Sequence, residues 1–436
     1  MSEYIKSLKT PIAIVGMGRS GDAAKKLLKK AGIAASDILT FDGKLSSADY
    51  NDTDKLMAEA KPQTLVVSPG VPLASPWIQD AKKNNVHITS EISLACSLLT
   101  SERLIGITGS VGKSTTVSLL GAGLAAFSPT SFVGGNLGIP FAEYAVGLLE
   151  GSHPLAEWVV LELSSYQLEN CEGLKLEHSA ITYFTSNHLE RYESLDHYYE
   201  TKCKILSLTE KTLFLNKEGG ELVDYFQKKM SSAQEKVQII SRNDENLKSL
   251  HLAAASLIGK HNQDNLALSS ALALAAGWPR SAIEGMKKFN GLSHRLENLG
   301  VFNGVRFIND SKATAMDSVL IAVSAAYDTL SAGGKLFVLL GGRDKNLPWQ
   351  DLKEFRNLKG VEYVFFGECR DIAKSKSELP GLSFAKMPEA LEYLRSAVKT
   401  QDTVLLSPGG TSLDEFKSFE DRGNVFKKWV AEYSTL

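Results

Sequence analysis

Ile105-Gly106-Ile107-Thr108-Gly109-Ser110-Val111-Gly112-Lys113-Ser114-Thr115 decides how this chain reads. Arg103 to Ile107 is apolar and β-branched, the pattern of a short buried strand. Two glycines turn it into Lys-Ser-Thr and an apolar-periodic helix, Val117 to Phe127. Strand, glycine loop and helix start make a phosphate cradle, because N–H groups exposed at a helix N-terminus favour anionic oxygens. Lys113 can reach β- and γ-phosphates, and the Ser114 hydroxyl can ligate a magnesium ion. The full G-x-x-x-x-G-K-S pattern is not met, since Ile107 stands where its first glycine would be. An ordinary glycine turn beside a solvated lysine could carry the same letters, but the flanking strand and helix favour the cradle.

Upstream, Pro11–Val15 reads as a buried strand that opens into Gly16-Met17-Gly18-Arg19-Ser20-Gly21 and a helix to about Lys30. That is G-x-G-x-x-G in a strand–turn–helix setting, and Asp42 ends the next strand, Asp37 to Phe41, where a dinucleotide fold places its ribose acid. Taken alone, this predicts NAD. Thr64–Val67 is a strand opening into Ser68-Pro69-Gly70, and a small first domain ends near Cys96.

Downstream, Thr130–Val133 leads into Gly134-Gly135-Asn136, and Trp158–Leu161 is an apolar strand with Glu162 at its end. An acid there is where phosphate-loop enzymes hold magnesium. Ala180 to Phe184 reads as a strand, followed by Asn187-His188 and, in a helical stretch from Leu195, by Lys202. Weak strand signals at Thr212–Leu215 and Val237–Ile240 precede His261–Asn265, which opens a long Ala/Leu helix. After a linker at Gly291–Arg295, Asn303-Gly304 marks a hairpin. Strand-then-helix units follow at Leu336–Leu340, Val361–Phe366 and Thr403–Leu406, each ending in a glycine-bearing turn. Strands alternating with helices imply mostly parallel sheets with ligand groups at the strand ends.

The 436 residues exceed one simple core and suggest about three domains. A net charge of −2 points to neither nucleic acid nor an anionic membrane. The 4 cysteines show no zinc or C-x-x-C spacing, which fits a reducing compartment. Met1–Thr10 lacks the apolar core of a signal peptide, and no apolar run approaches bilayer length, so a cytoplasmic protein is expected. The residues alone thus reach an ATP-using enzyme with a second nucleotide-like site.

The ordered set of motifs resembles the Mur ligases of peptidoglycan synthesis. It runs from Gly16–Gly21, Ser68–Gly70, Thr108–Thr115 and Gly134–Asn136 through Leu161–Glu169, Asn187–Arg191, Lys202 and Gly259–Asn262. Gly291–Arg295, Asn309–Thr314, Ser407-Pro408 and Ser412–Gly423 complete it, so the likeness covers the whole chain. It implies an α/β protein with a Rossmann-like N-terminal domain (1–96), a central phosphate-loop ATPase-like domain (97–293) and a Rossmann-like C-terminal domain (294–436).

The implied reaction is ATP-driven addition of D-glutamate to UDP-N-acetylmuramoyl-L-alanine through an acyl phosphate. Gly18, Arg19, Ser20, Asp42, Gly43, Gly70 and Asn136 would hold the UDP substrate, which replaces NAD as the ligand of the first glycine turn. Gly109, Ser110, Val111, Gly112, Lys113, Ser114 and Thr115, with Asn265, Arg295 and Asp310, would hold ATP. Lys113, Glu162, His188 and Lys202 would be catalytic. Ser114, Glu162, His188 and Lys202, the last as an N-carboxylated carbamate, would hold two magnesium ions. Lys312, Thr314, Lys345, Ser412 and Phe419 would frame D-glutamate after a hinge closure. Small-molecule substrates, no nucleic acid, no membrane insertion and a monomer are the implied partners and state. Val111 stands where the family has Asn, and Asn187 where it has Asp. Three alternatives stay open: a related ligase for a different amino acid, an ATP-hydrolysing switch, and an NAD oxidoreductase.

Overall fold

The computed structural model describes residues 2–185, 191–229 and 235–435. Its strands form three sheets. The first sheet contains β1 (Ile12–Val15), β2 (Ile38–Phe41), β3 (Thr64–Val67) and β4 (His87–Thr89), in the order β2-β1-β3-β4 and all parallel. The second contains β5 (Arg103–Thr108), β6 (Ser131–Gly135), β7 (Trp158–Glu162), β8 (Leu176–Ile181), β9 (Thr209–Asn216) and β10 (Val237–Ile240). Its order is β10-β9-β8-β5-β7-β6, again all parallel.

These two sheets lie in one compact unit, Met1–Leu252 with Asp264–Met286. The second unit, Ala253–Gln263 with Lys287–Leu436, holds the third sheet. Its strands are β11 (Glu297–Phe302), β12 (Val305–Asn309), β13 (Leu336–Gly341), β14 (Val361–Phe366), β15 (Gly381–Phe384) and β16 (Thr403–Gly409), in the order β11-β12-β16-β13-β14-β15. Among the described strands of this sheet only β11 and β12 pair antiparallel; Asn303 (φ 50°) and Gly304 (φ 79°) turn their hairpin with the left-handed pair that suits strand twist.

The central parallel strands are buried because helices cover both faces; β1, β3 and β7 are buried at every residue. Helix Arg19–Lys30 buries Ala23, Ala24, Leu27 and Leu28 while its lysines face outward. Two strands carry no clear sequence signal. β4 is three residues long, and β15 is an edge strand whose Leu382 and Ser383 are exposed. β8 begins at Leu176 instead of Ala180, because Ser179 is satisfied inside the sheet by the Thr209 hydroxyl at 2.6 Å. That pairing hides polar residues which a hydrophobicity pattern assigns to a loop.

All four cysteines are free. Among the described residues, no helix is long and apolar enough to cross a membrane.

Candidate active site

The glycine turns after β1 and β5, Asn136 after β6 and Glu162 at the end of β7 stand at the carboxyl ends of parallel strands, where open α/β sheets bind ligands. In the first sheet, the turns after β1, β2 and β3 wall a cleft of about 490 Å³. Gly18, Arg19, Ser20, Asp42, Gly43, Gly70 and Asn136 all line it. Helix Arg19–Lys30 starts at the cleft without a side-chain cap, so its first N–H groups remain for an anion. Gly21 lets helix and strand approach: a Cβ there would stand 2.1 Å from the Gly16 carbonyl oxygen. The Asp42 carboxylate accepts the Met17 and Lys44 N–H groups, both at 2.9 Å, and these hold it below the usual carboxylate range. It therefore fixes the glycine turn as well as facing the ligand space.

In the second sheet, β5 runs into the loop Gly109–Gly112 and then into helix Lys113–Ala125. Gly109 has φ +145°, and a Cβ on it would meet the Thr182 hydroxyl at 2.1 Å. Thr182 closes the loop from below, donating to the Thr108 carbonyl at 3.2 Å and to that of Val111 at 2.5 Å. The Lys113 ammonium lies over the loop, donating to the Gly109 and Ser110 carbonyls at 2.9 and 3.1 Å. Asn265 reaches the same loop, its Oδ1 lying 3.4 Å from the Thr116 hydroxyl. Ser114 and Thr115 are half-buried in the first turn, and Val111 is exposed.

Glu162 ends β7 and is 2 % exposed. Its Oε1 accepts from Asn136 Nδ2 at 2.8 Å, while its Oε2 has no hydrogen-bond partner among the described residues. Lys202, on helix Leu195–Cys203, is 1 % exposed, and its ammonium donates to the Gly109 carbonyl at 2.9 Å. Its nitrogen also lies 4.6 Å from the centre of the Tyr198 ring. Burial first, and the charge of Lys113 second, push Lys202 well below the ordinary lysine range, against the pull of Glu162. Asn187 and His188 lie outside the described residues. Among the described residues, no group of three or more His, Cys, Asp or Glu side chains could hold a metal.

In the second compact unit, the loops after β12, β13 and β16 stand side by side, since β16 pairs with both neighbours. Asp310 is buried, accepts from the Leu296 N–H at 3.0 Å and the Ser407 hydroxyl at 2.9 Å, and is pushed up to about 7 by burial. The Lys312 ammonium lies 5.3 Å from the centre of the Phe419 ring. Ser412 is buried, Thr314 half-buried, and Arg295 and Lys345 exposed. Motif reading gives no role to Arg422, yet its fully buried guanidinium pins two of these loops. It donates to the Ser311 hydroxyl and carbonyl at 3.1 and 2.8 Å and to the Gly410 carbonyl at 3.1 Å. An arginine on the apolar face of helix Phe419–Tyr433 is the one sequence sign of that role. Thr182 likewise left no signal: the sequence reading puts it inside a strand from Ala180 to Phe184, whereas β8 ends at Ile181.

A phosphate loop with a buried acid and a buried lysine beside it, next to a second cleft of dinucleotide type, defines an enzyme that spends a nucleoside triphosphate on another phosphate-bearing substrate. Residues 107–273 match the Mur ligase middle domain. Over 97 % of its length the chain is 33 % identical to the UDP-N-acetylmuramoylalanine–D-glutamate ligase of Haemophilus influenzae, 98 % of which is covered. The ligase of the same name from Myxococcus xanthus is 32 % identical, with 96 % of this chain and 97 % of that one covered. The solved structure of a UDP-N-acetylmuramoyl-L-alanyl-D-glutamate–2,6-diaminopimelate ligase shares the fold at TM-score 0.58 and 16 % identity, covering 98 % of this chain and 94 % of that one. The chain belongs to the Mur ligases and, within them, to the family of UDP-N-acetylmuramoylalanine–D-glutamate ligases.

Proposed function

We propose that this chain joins the amine of D-glutamate to the carboxylate of UDP-N-acetylmuramoyl-L-alanine at the expense of ATP, as a step in cytoplasmic peptidoglycan precursor synthesis. One observation carries the reading: a cleft lined by all seven expected UDP-site residues lies in the same compact unit as the phosphate loop, Glu162 and Lys202.

In the first step a carboxylate oxygen attacks the γ-phosphorus of ATP, ADP leaves, and an acyl phosphate forms. In the second, the amine of D-glutamate attacks that carbonyl carbon and phosphate departs from a tetrahedral intermediate. A free carboxylate has no adequate leaving group, and phosphorylation supplies one. Both steps crowd anions together, so positioning and cationic or N–H groups do most of the work. Lys113 exchanges its loop carbonyls for phosphate oxygens, and Gly109–Thr115 supplies N–H groups. Asn265, Arg295 and Asp310 would hold the nucleotide, and Lys312, Thr314, Lys345, Ser412 and Phe419 would frame D-glutamate.

The buried Glu162 Oε2, without a hydrogen-bond partner among the described residues, suits a magnesium site that Ser114 would share, and His188 would hold a second magnesium ion. Bound magnesium supplies charge neutralisation between phosphate and carboxylate. Lys202 suits carbamate formation, because burial favours the neutral amine that adds CO₂ with loss of a proton, and the anion formed would serve the same site. We further take the three sheets as three domains bounded near residues 96 and 293, and the enzyme as a monomer.

Phosphate release from ATP with UDP-N-acetylmuramoyl-L-alanine across a panel of amino acids, with product masses, tests the proposal. Turnover with D-glutamate, adding one glutamyl residue, is expected. Turnover with a different amino acid alone would replace the substrate, and hydrolysis indifferent to both substrates would overturn the ligase.

A further inference from the structure

Arg191 ties the wall of the UDP cleft to the second sheet. Its guanidinium donates to the Pro69 carbonyl at 2.8 Å, the Val71 carbonyl at 3.3 Å and Glu169 Oε2 at 2.9 Å. Its flat face lies 3.9 Å from the centre of the Tyr166 ring, and its side chain is only 9 % exposed. The other Glu169 oxygen accepts from the Tyr192 hydroxyl at 2.8 Å, so the acid that anchors Arg191 is itself fixed.

Two carbonyls, one carboxylate and one ring face suit a planar fork of donors. A lysine ammonium, a point charge without a flat face, cannot meet all four. The two carbonyls flank Gly70, which lines the cleft. From the β1 side, the same turn is held by the Ser68 hydroxyl, which donates to the Gly16 carbonyl at 2.7 Å. The Ser68–Val71 turn is thus gripped from both sides, by Ser68 on one and by Arg191 on the other. Four residues beyond Arg191 begins helix Leu195–Cys203, which carries Lys202.

We infer that Arg191 is a positioning residue for the UDP end of the substrate: it sets the Ser68–Val71 wall from the second sheet, with Glu169 as its anchor and Tyr166 as its platform. It touches no reacting atom and acts through the Pro69 and Val71 carbonyls. The inference rests on the assignment of this cleft to UDP under the proposed function.

The test compares the unmodified chain with Arg191→Ala, Arg191→Lys and Glu169→Gln, measuring Kd and KM for UDP-N-acetylmuramoyl-L-alanine and KM for ATP. Arg191→Ala is expected to raise Kd and KM for the UDP substrate roughly tenfold, the worth of a charge-assisted pair, while KM for ATP stays within about twofold. Arg191→Lys, which keeps the charge and loses the fork, should fall between, and Glu169→Gln should follow Arg191→Lys. If Arg191→Ala does not fold, Arg191→Lys carries the same comparison. A lowered Tm with unchanged affinity for the UDP substrate, or equal losses for both substrates, would mean a merely structural arginine and overturn the inference. Failure of the unmodified chain to bind the UDP substrate would overturn the assignment of the cleft and the inference with it.

Discussion

Asn136 Nδ2 donates to Glu162 Oε1 at 2.8 Å, and the Asn136 N–H donates to the Glu162 carbonyl at 2.9 Å. Asn136 follows the end of β6 and Glu162 ends β7, which pair in parallel, so strand register alone brings them together. The side-chain bond occupies one carboxylate oxygen and leaves the other buried and without a hydrogen-bond partner among the described residues. Glu162→Gln is expected to lower turnover roughly 100-fold or more, the scale of losing a main electrostatic group. Asn136→Ala leaves the charge but frees its rotamer, so the magnesium needed for half-maximal rate should rise with a smaller loss of rate. A magnesium titration of both variants checks this; an unchanged titration for both would remove Glu162 from the metal site.

Gly109 has no room for a side chain, with the Thr182 hydroxyl 2.1 Å from where a Cβ would lie and φ at +145°. Gly109→Ala should cost ~1–3 kcal/mol of stability through backbone strain. It should also raise KM for ATP, because the carbonyl that receives both Lys113 and Lys202 would shift. Chemical denaturation and ATP kinetics together check it, and a variant of normal KM would show that the loop tolerates the displacement.

Lys202 sits with its amine buried and near Lys113, which favours the uncharged form. Isotopically labelled bicarbonate should give one carbamate carbon signal in the NMR spectrum of the unmodified chain and none in Lys202→Ala. The same substitution should lower turnover at least 100-fold. A signal that persists in Lys202→Ala would place the carbamate elsewhere.

Glu91 ties the N-terminal turn of helix Glu91–Cys96 to that of helix Phe141–Glu150, its Oε2 accepting the Ala142 N–H at 2.9 Å. Burial raises it from an ordinary value of 4.5 to about 7. The folded chain therefore keeps a proton that the unfolded chain releases between those values. The stabilisation is full below about 4.5, and it is lost as pH rises through about 7. Glu91→Gln removes this loss. Across that window the Tm difference between variant and unmodified chain should move steadily in favour of the variant, and parallel Tm curves would sink the prediction.

The order of strands, glycine turns and helices was legible in the chain because each signal is local. A β-branched run, a glycine at positive φ and an apolar helix face act within a few residues. That locality suffices for three α/β sheets, a glycine loop at Gly109–Gly112 and a second glycine turn at Gly16–Gly21. It does not extend to β4 and β15, which are too short or too exposed to leave a pattern, nor to the start of β8, where a Ser179–Thr209 bond offsets the cost of burying polar groups. Only the tertiary structure decided that Thr182 closes the Gly109–Gly112 loop, that Arg422 pins the loops after β12 and β16, and that Arg191 grips the Ser68–Val71 turn. The same holds for Lys202, whose basicity is lowered by burial and by the charge of Lys113 and whose nitrogen meets a carbonyl 93 positions away. Such groups get their chemistry from neighbours that are distant in sequence, through desolvation and hydrogen bonds that exist only once the sheets have packed.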